Sequence, residues 1–268
     1  MSEYVYDQAW EHERERLAGL ERMADPGTTR LLADLGVGEG WRCLEAGAGG
    51  GSITEWLCDR VGASGEVVAI DLDTRFVEKI DRANLTVRRL DLVKDDVEKE
   101  AFDLVHSRDV LEHIPERDDV LDSLIAAVKP GGWIMIEDVD FQLPIRATND
   151  SGAWPPEIVE VGAKFWAAMG TFMYSRGVDP EFGRRLPGRF LERGLDEVSA
   201  EARTSATRGG TDEYNVARLS IDQLAAALIQ TGEVTAEELG RFKSSLDDPN
   251  FISFGPTQVA TWGRRRRS

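Results

Sequence analysis

Cys43-Leu-Glu-Ala-Gly-Ala-Gly-Gly-Gly51, with Asp71 twenty residues further on, is the stretch whose reading decides the fold. A short apolar run, Trp41 to Leu44, leads into the acid Glu45, and glycines follow at every second position, Gly47, Gly49 and Gly51. A helical pattern, Ser52 to Arg60, begins at once. Glycine has no Cβ, so such a turn can take positive φ and let a ligand lie against bare backbone. The unpaired amides that open the next helix favour an anionic group, such as a carboxylate. A second apolar run, Val67 to Ile70, ends in Asp71, placed to accept hydrogen bonds from ribose hydroxyls. Together these residues describe a pocket for a nucleoside that carries an acidic end group.

The spacing narrows the choice of nucleoside. A dinucleotide turn spaces its glycines G-x-G-x-x-G; here the third comes one residue early, and Ser52 occupies the expected slot. Glu45 would also sit awkwardly beside two phosphates. A ligand with both an amino group and a carboxylate suits Glu45 plus helix amides, and S-adenosylmethionine (SAM) has both. The stretch resembles motif I of the class I SAM-dependent methyltransferases. That resemblance implies Asp71 as the ribose-binding acid, with Leu72 beside it. It also implies that Asp91, at the end of the Leu85–Leu90 run, meets the adenine amino group, with the Leu92 amide nearby. Phe102 to Ser107 is similar to the family's fourth strand, and Val128 to Glu137 to the turn into its fifth. The cofactor residues implied are Glu45, Gly47, Gly49, Gly51, Asp71, Leu72, Asp91, Leu92 and Ser107. Tyr6 and Trp10 join them from an N-terminal segment that in the family closes over SAM. S-adenosylhomocysteine would be the product.

Composition bounds the function class. The chain has 268 residues, enough for one large α/β domain or a core with a helical addition. No apolar run approaches the roughly 20 residues that cross a bilayer, and Met1 to Glu15 is too polar for a secretory signal. Cys43 and Cys58 both lie in expected core elements and read as small buried hydrophobes in a reducing cytoplasm. A formal charge of −17 argues against a nucleic-acid substrate, because that binding draws on Lys and Arg neutralising phosphates. One basic run, Arg264 to Arg267, reads as a frayed, solvated tail.

The order of elements predicts a doubly wound α/β fold: a seven-stranded, mostly parallel sheet with an N-terminal helical lid and helical insertions on the substrate side. The lid is expected over residues 1–36 and the SAM-binding domain over 37–268, with insertions at about 150–195 and 210–248. Asp7 to Arg22 reads as a helix that Asp25-Pro26-Gly27 breaks, with a second helix from Thr28 to Leu35. Lys129-Pro130-Gly131-Gly132 reads as a helix stop. Beyond Asp140 the pattern gives helices over Glu157–Tyr174 and Arg184–Gly194, a strand over Glu197–Thr204, a helical block over Asp212–Leu246 and a strand near Phe251–Trp262. The last two strands are expected to pair antiparallel.

Methyl transfer from a sulfonium needs alignment and a dry site more than acid–base help, and a base only where the acceptor keeps its proton. Three histidines exist. His106, after the expected fourth strand, is the first candidate base; His12 could serve from the lid, and Asp138 could orient a donor. Trp154, Phe165, Trp166, Met169 and Tyr174 form an aromatic and methionine-rich stretch read as the acceptor's wall. Asp109-x-x-Glu112-His113 is similar to a metal motif of some methyltransferases, but no histidine follows His113, and no metal is assigned. The expected activity is SAM-dependent methylation at O, N or C of a small apolar or aromatic metabolite, in secondary metabolism. The expected setting is the cytoplasm, without membrane or nucleic-acid partners, as a monomer or homodimer. The alternatives are a protein or RNA methyltransferase, or a SAM-binding fold that does not methylate.

Overall fold

Strands buried on both faces organise the larger part of the chain. The computed structural model describes residues 12–141 and 155–267. Five strands pair in parallel: β1 (Arg42–Ala46), β2 (Glu66–Asp71), β3 (Leu85–Arg89), β4 (Phe102–Arg108) and β5 (Val128–Asp140). Two later strands, β6 (Asp196–Arg203) and β9 (Thr257–Arg264), pair antiparallel and complete a seven-stranded sheet of order β3-β2-β1-β4-β5-β9-β6. Side chains alternate across each strand. Leu44, Ala46, Val68, Ile70, Val105, Ile134 and Ile136 therefore fill one face, and Cys43, Val67, Leu104 and Met135 the other. Two helices supply the cover on the second face: α1 (Glu13–Asp34), through Leu31 and Leu32, and α2 (Ser52–Val61), through Ile53 and Leu57. On the first, α3 (Arg117–Ala127) and α5 (Phe182–Glu192) contribute Leu121, Leu124, Phe182 and Phe190. The expected seven-stranded, mostly parallel α/β fold is present.

The chain divides into two compact units. The sheet unit takes residues 24–139, 181–203 and 258–268. The second unit holds Met1–Met23, Asp140–Pro180 and Thr204–Thr257. Its helices are α4 (Pro156–Ser175), α6 (Asp212–Gln230) and α7 (Ala236–Ser245), and they share one core. In that core Phe165 stacks on Phe242 with ring centroids 4.8 Å apart. A small ribbon, β7 (Ala206–Arg208) with β8 (Ile252–Phe254), belongs to the same unit. The division falls within α1 and at 139/140, not at residues 36 and 150, and α5 goes with the sheet instead of with an insertion.

Three local expectations are corrected. Pro26 lies inside α1, so the helix is continuous where a break was expected. Just past the proline, Thr28 Oγ1 donates back to the Ala24 carbonyl and Thr29 Oγ1 to that of Asp25. The 129–132 stretch is already strand: Gly131, at φ +82°, donates its amide to the Arg265 carbonyl, and the Arg265 amide returns a bond to Gly132. The arginine run is no frayed tail. Arg264 pairs with Glu197, Arg266 with Asp196, and Arg265 with Glu100. Arg265 Nη1 also donates to the carbonyls of Ala126 and Val128 at 3.0 and 2.6 Å, where α3 ends and its acceptors would lack partners. Arg265→Ala is expected to destabilise the protein by about 1–3 kcal/mol. The check is the midpoint of urea unfolding, which should fall without a change in slope.

Candidate active site

The turn after β1 takes the conformation its glycines permit. Gly47 and Gly51 sit at φ +80° and +95° with neighbours close by: a Cβ would lie 2.1 Å from Val110 Cγ2 at the first and 2.6 Å from Ile80 Cδ1 at the second. Gly49, at φ +53°, has only the Gly47 carbonyl oxygen within 4.0 Å of where a Cβ would be, so bare backbone faces open space there. Gly51 is the N-cap of α2 and provides no side-chain cap to its first amides. Asp71, at the end of β2, locks the turn. One carboxylate oxygen accepts the Gly49 amide and the other that of Asp73, each at 2.9 Å. Burial raises the Asp71 pKa, and these backbone donors pull the other way. Leu72 beside it is 48% exposed. Asp91, after β3, accepts the Val93 amide and pairs with Lys94, which lowers its pKa. Leu92 packs against the sheet core. Tyr6, Trp10 and Trp154 lie outside the described residues.

Beneath the turn a row of buried charges crosses the sheet. Glu45 of β1 stands in register beside His106 of β4, while Glu137 of β5 pairs in register with Arg108, two residues further along β4, and reaches back diagonally to His106. His106 Nδ1 lies 2.7 Å from Glu45 Oε2, and its Nε2 lies 3.5 Å from Glu137 Oε2. Glu137 also accepts Thr28 Oγ1 and pairs with Arg203 of β6. Arg108 donates to Thr28 Oγ1 at 3.0 Å and to Asp25 Oδ1 at 2.8 Å, and the same Asp25 oxygen accepts the Ser52 hydroxyl at 3.1 Å. Burial alone would lower the His106 pKa. The charge of Glu45 and hydrogen bonds to Glu137 and Glu45 overcome it and carry the ring up to about 9. Burial pushes Glu137 up, but His106, then Arg108 and Arg203, bring it down to about 2.

This setting weighs against the role expected for His106. A doubly protonated imidazole held by two carboxylates has no lone pair with which to take a proton near neutral pH. Asp138 is also structural in this setting. It is fully buried; its Oδ1 accepts the amides of Val110 and Glu112 at 3.1 and 3.4 Å, and Glu112 returns the favour to the Val139 amide at 2.7 Å. Burial first, and Asp109 second, raise the Asp138 pKa well above the usual carboxylate range. The acid–His motif thus straps the end of β4 to β5. Asp109, at φ +57°, accepts a bond from Gln258. Among the described residues no group of three His, Cys, Asp or Glu side chains is set to hold a metal ion. Ser107 is buried between Ala46 and Ile136, and its Oγ has no hydrogen-bond partner among the described residues.

His12, at the start of α1, is 48% exposed and lies 3.5 Å from Glu15. Phe165 and Met169 are buried in the second unit's core, so their side chains have little left to offer an acceptor. Trp166 is half-buried against Phe165 and Phe141, and Tyr174 is 53% exposed. Asp25, Ser52, Arg108 and Arg203 escaped the sequence reading. Their signal is faint: polar residues flanking apolar strands, which only the three-dimensional register brings together.

A family model described as a methyltransferase domain matches residues 6–176. The chain belongs to this family. Methyltransferase str3 of Strobilurus tenacellus is 26% identical over 185 residues, which is 68% of this chain and 61% of that protein. The ubiquinone/menaquinone biosynthesis C-methyltransferase UbiE of Idiomarina loihiensis is 31% identical over 122 residues, 42% of this chain and 47% of its own length. The alignments therefore span about half to three fifths of these relatives. The YcgJ protein of Bacillus subtilis superposes with a TM-score of 0.58 at 13% identity, covering 90% of this chain and 98% of that one. It shares the class I fold.

The buried row predicts a pH dependence of this family member's stability. The folded His106 pKa, about 9, exceeds the ordinary 6.5. Its stabilisation is therefore complete below the ordinary value and is lost as pH rises towards 9. Unfolding free energy measured in urea is expected to drop between pH 7 and 9.5 by an amount on the order of a few kcal/mol. In His106→Gln that drop should largely disappear.

Proposed function

We propose that this protein transfers the methyl group of SAM to a small organic acceptor and releases S-adenosylhomocysteine. The observation that carries the reading is the glycine turn locked by Asp71 beside an uncapped helix start. The residues fit the cofactor piece by piece. The first amides of α2 suit its carboxylate, Glu45 its ammonium, Asp71 its ribose hydroxyls, and the exposed face of Leu72, with Asp91 and the Leu92 amide, its adenine. When bound, SAM supplies an electrophilic methyl on a sulfonium, so no residue has to activate it. The chain's part is to bind, align and exclude water. Any proton left on the acceptor goes to solvent or to a base. His12 remains the histidine proposed for that task, since both ring nitrogens of His106 face buried carboxylates.

A small acceptor is supported by charge and by the fate of the one basic run. The formal charge is −17, and Arg264, Arg265 and Arg266 are each paired with a carboxylate. No helix among the described residues is long and apolar enough to cross a membrane. One relative is named for quinone biosynthesis, a small-molecule setting. The exposed Tyr174 and half-buried Trp166 keep their proposed place in the acceptor's wall. Secondary metabolism in a reducing cytoplasm is the proposed setting, with Cys43 and Cys58 both buried thiols.

Calorimetry with S-adenosylhomocysteine is expected to give binding, and NADH none. Asp71→Ala should weaken that binding by at least about tenfold, the value of a charge-assisted hydrogen bond. Incubation with SAM and a panel of phenols, quinols and amines should then release S-adenosylhomocysteine with some members. Binding of NADH, or no binding of either nucleoside by the wild-type protein, would overturn the reading.

A further inference from the structure

Resting on that reading of the site, we propose that His106 is a positioning residue. Its ring pins one oxygen of Glu45, leaves the other for the ammonium of the cofactor's amino-acid end, and so selects nucleosides that carry such an end. Glu45 is 3% exposed, and its Oε2 is committed to His106 Nδ1 at 2.7 Å. A carboxylate held at one oxygen by a buried cation has lost most of its rotational freedom. His106 cannot turn either, because Glu137 holds its other nitrogen and is itself held by Arg203 and Thr28. The groups facing the ring are thus Glu45 from β1, Glu137 from β5 and, through Glu137, Arg203 from β6, with Arg108 two residues along its own strand.

The same network acts on the opposite charge of the ligand. Arg108 fixes Asp25, and Asp25 takes the Ser52 hydroxyl. Ser52 is the first residue of α2, whose N-cap is a glycine without a side-chain bond. With its hydroxyl engaged elsewhere, the helix start keeps its amides for a carboxylate. One connected set of buried and half-buried charges therefore presents an acceptor for an ammonium group and donors for a carboxylate, on the two sides of a single glycine turn. That is the recognition pattern of an α-amino acid. The nucleoside half relies on other residues, Asp71, Leu72 and Asp91, which hydrogen-bond none of the network's side chains.

The test separates the two halves of the ligand. S-adenosylhomocysteine and 5′-methylthioadenosine share the nucleoside thioether, but the second lacks the amino acid. Calorimetry with the wild-type protein, His106→Gln and His106→Leu should show the first ligand weakened at least tenfold by the leucine and less by the glutamine. Affinity for methylthioadenosine should change less than twofold. Nitrogen NMR of histidine-labelled protein adds a readout independent of ligand. One of three imidazoles should remain doubly protonated at pH 8, and Glu45→Gln should lower its titration midpoint. Equal weakening of both ligands, unchanged affinity for both, or a neutral His106 at pH 7 overturns the inference while leaving the methyltransferase reading intact. Wild-type protein that binds neither ligand overturns that reading and the inference with it.

Discussion

A single imidazolium between two carboxylates sets the terms for the rest of the sheet. Burying Glu45 or Glu137 alone would cost several kcal/mol, and burying a lone charged histidine would cost as much. Brought together on three adjacent strands, Glu45 in register with His106 and Glu137 in register with Arg108, they neutralise one another in part, and Arg203 and Arg108 supply the remaining positive charge. Such a set is stable only when complete, because losing one member leaves its partners charged and dry. The arrangement therefore constrains more than itself. It requires α1 to run unbroken past Pro26, so that Asp25 and Thr28 reach the row from one helix turn. It also requires β6 to deliver Arg203 from a distant part of the sequence.

Much of this was legible in the sequence where local rules govern. The runs read at Trp41–Leu44, Val67–Ile70, Leu85–Leu90 and Phe102–Ser107 fall on the first four strands, each short and closed by a glycine turn or an acid. The glycine spacing identified the turn; Asp71 was read as a ribose-binding acid, and its bonds to the Gly49 and Asp73 amides came only with the structure. The sequence was silent where the determinant is non-local. Nothing near His106 says that Glu45, sixty-one residues earlier, is its neighbour; that follows from strand register alone. Read locally, His106 is a histidine at a strand end and a fair base. Read in register, it is a fixed cation. Pro26 misled for a related reason, since a helix packed through Leu31 and Leu32 tolerates a missing amide that an isolated helix would not.

The helical unit shows the other limit of pattern reading. A helix dense in Phe, Trp and Met can line a pocket or fill a core, and composition does not separate the two. Phe165 on Phe242 settles those side chains in the core, while Tyr174 and part of Trp166 stay outside it. The ribbon of β7 and β8 was missed because strands of three residues carry no periodicity to read.

The place of β9 in the sheet bears on how the molecule is made. It lies between β5 and β6, so β6 joins the sheet only through a strand that follows it by more than fifty residues. Until residues up to Arg264 have left the ribosome, β5 presents an unpaired edge and Glu137 waits for Arg203 to be carried into place. Synthesis at about 5–20 residues per second leaves that edge open for seconds. During this interval the open edge can pair with another chain, and only the slow, long-range arrival of the last strand removes it.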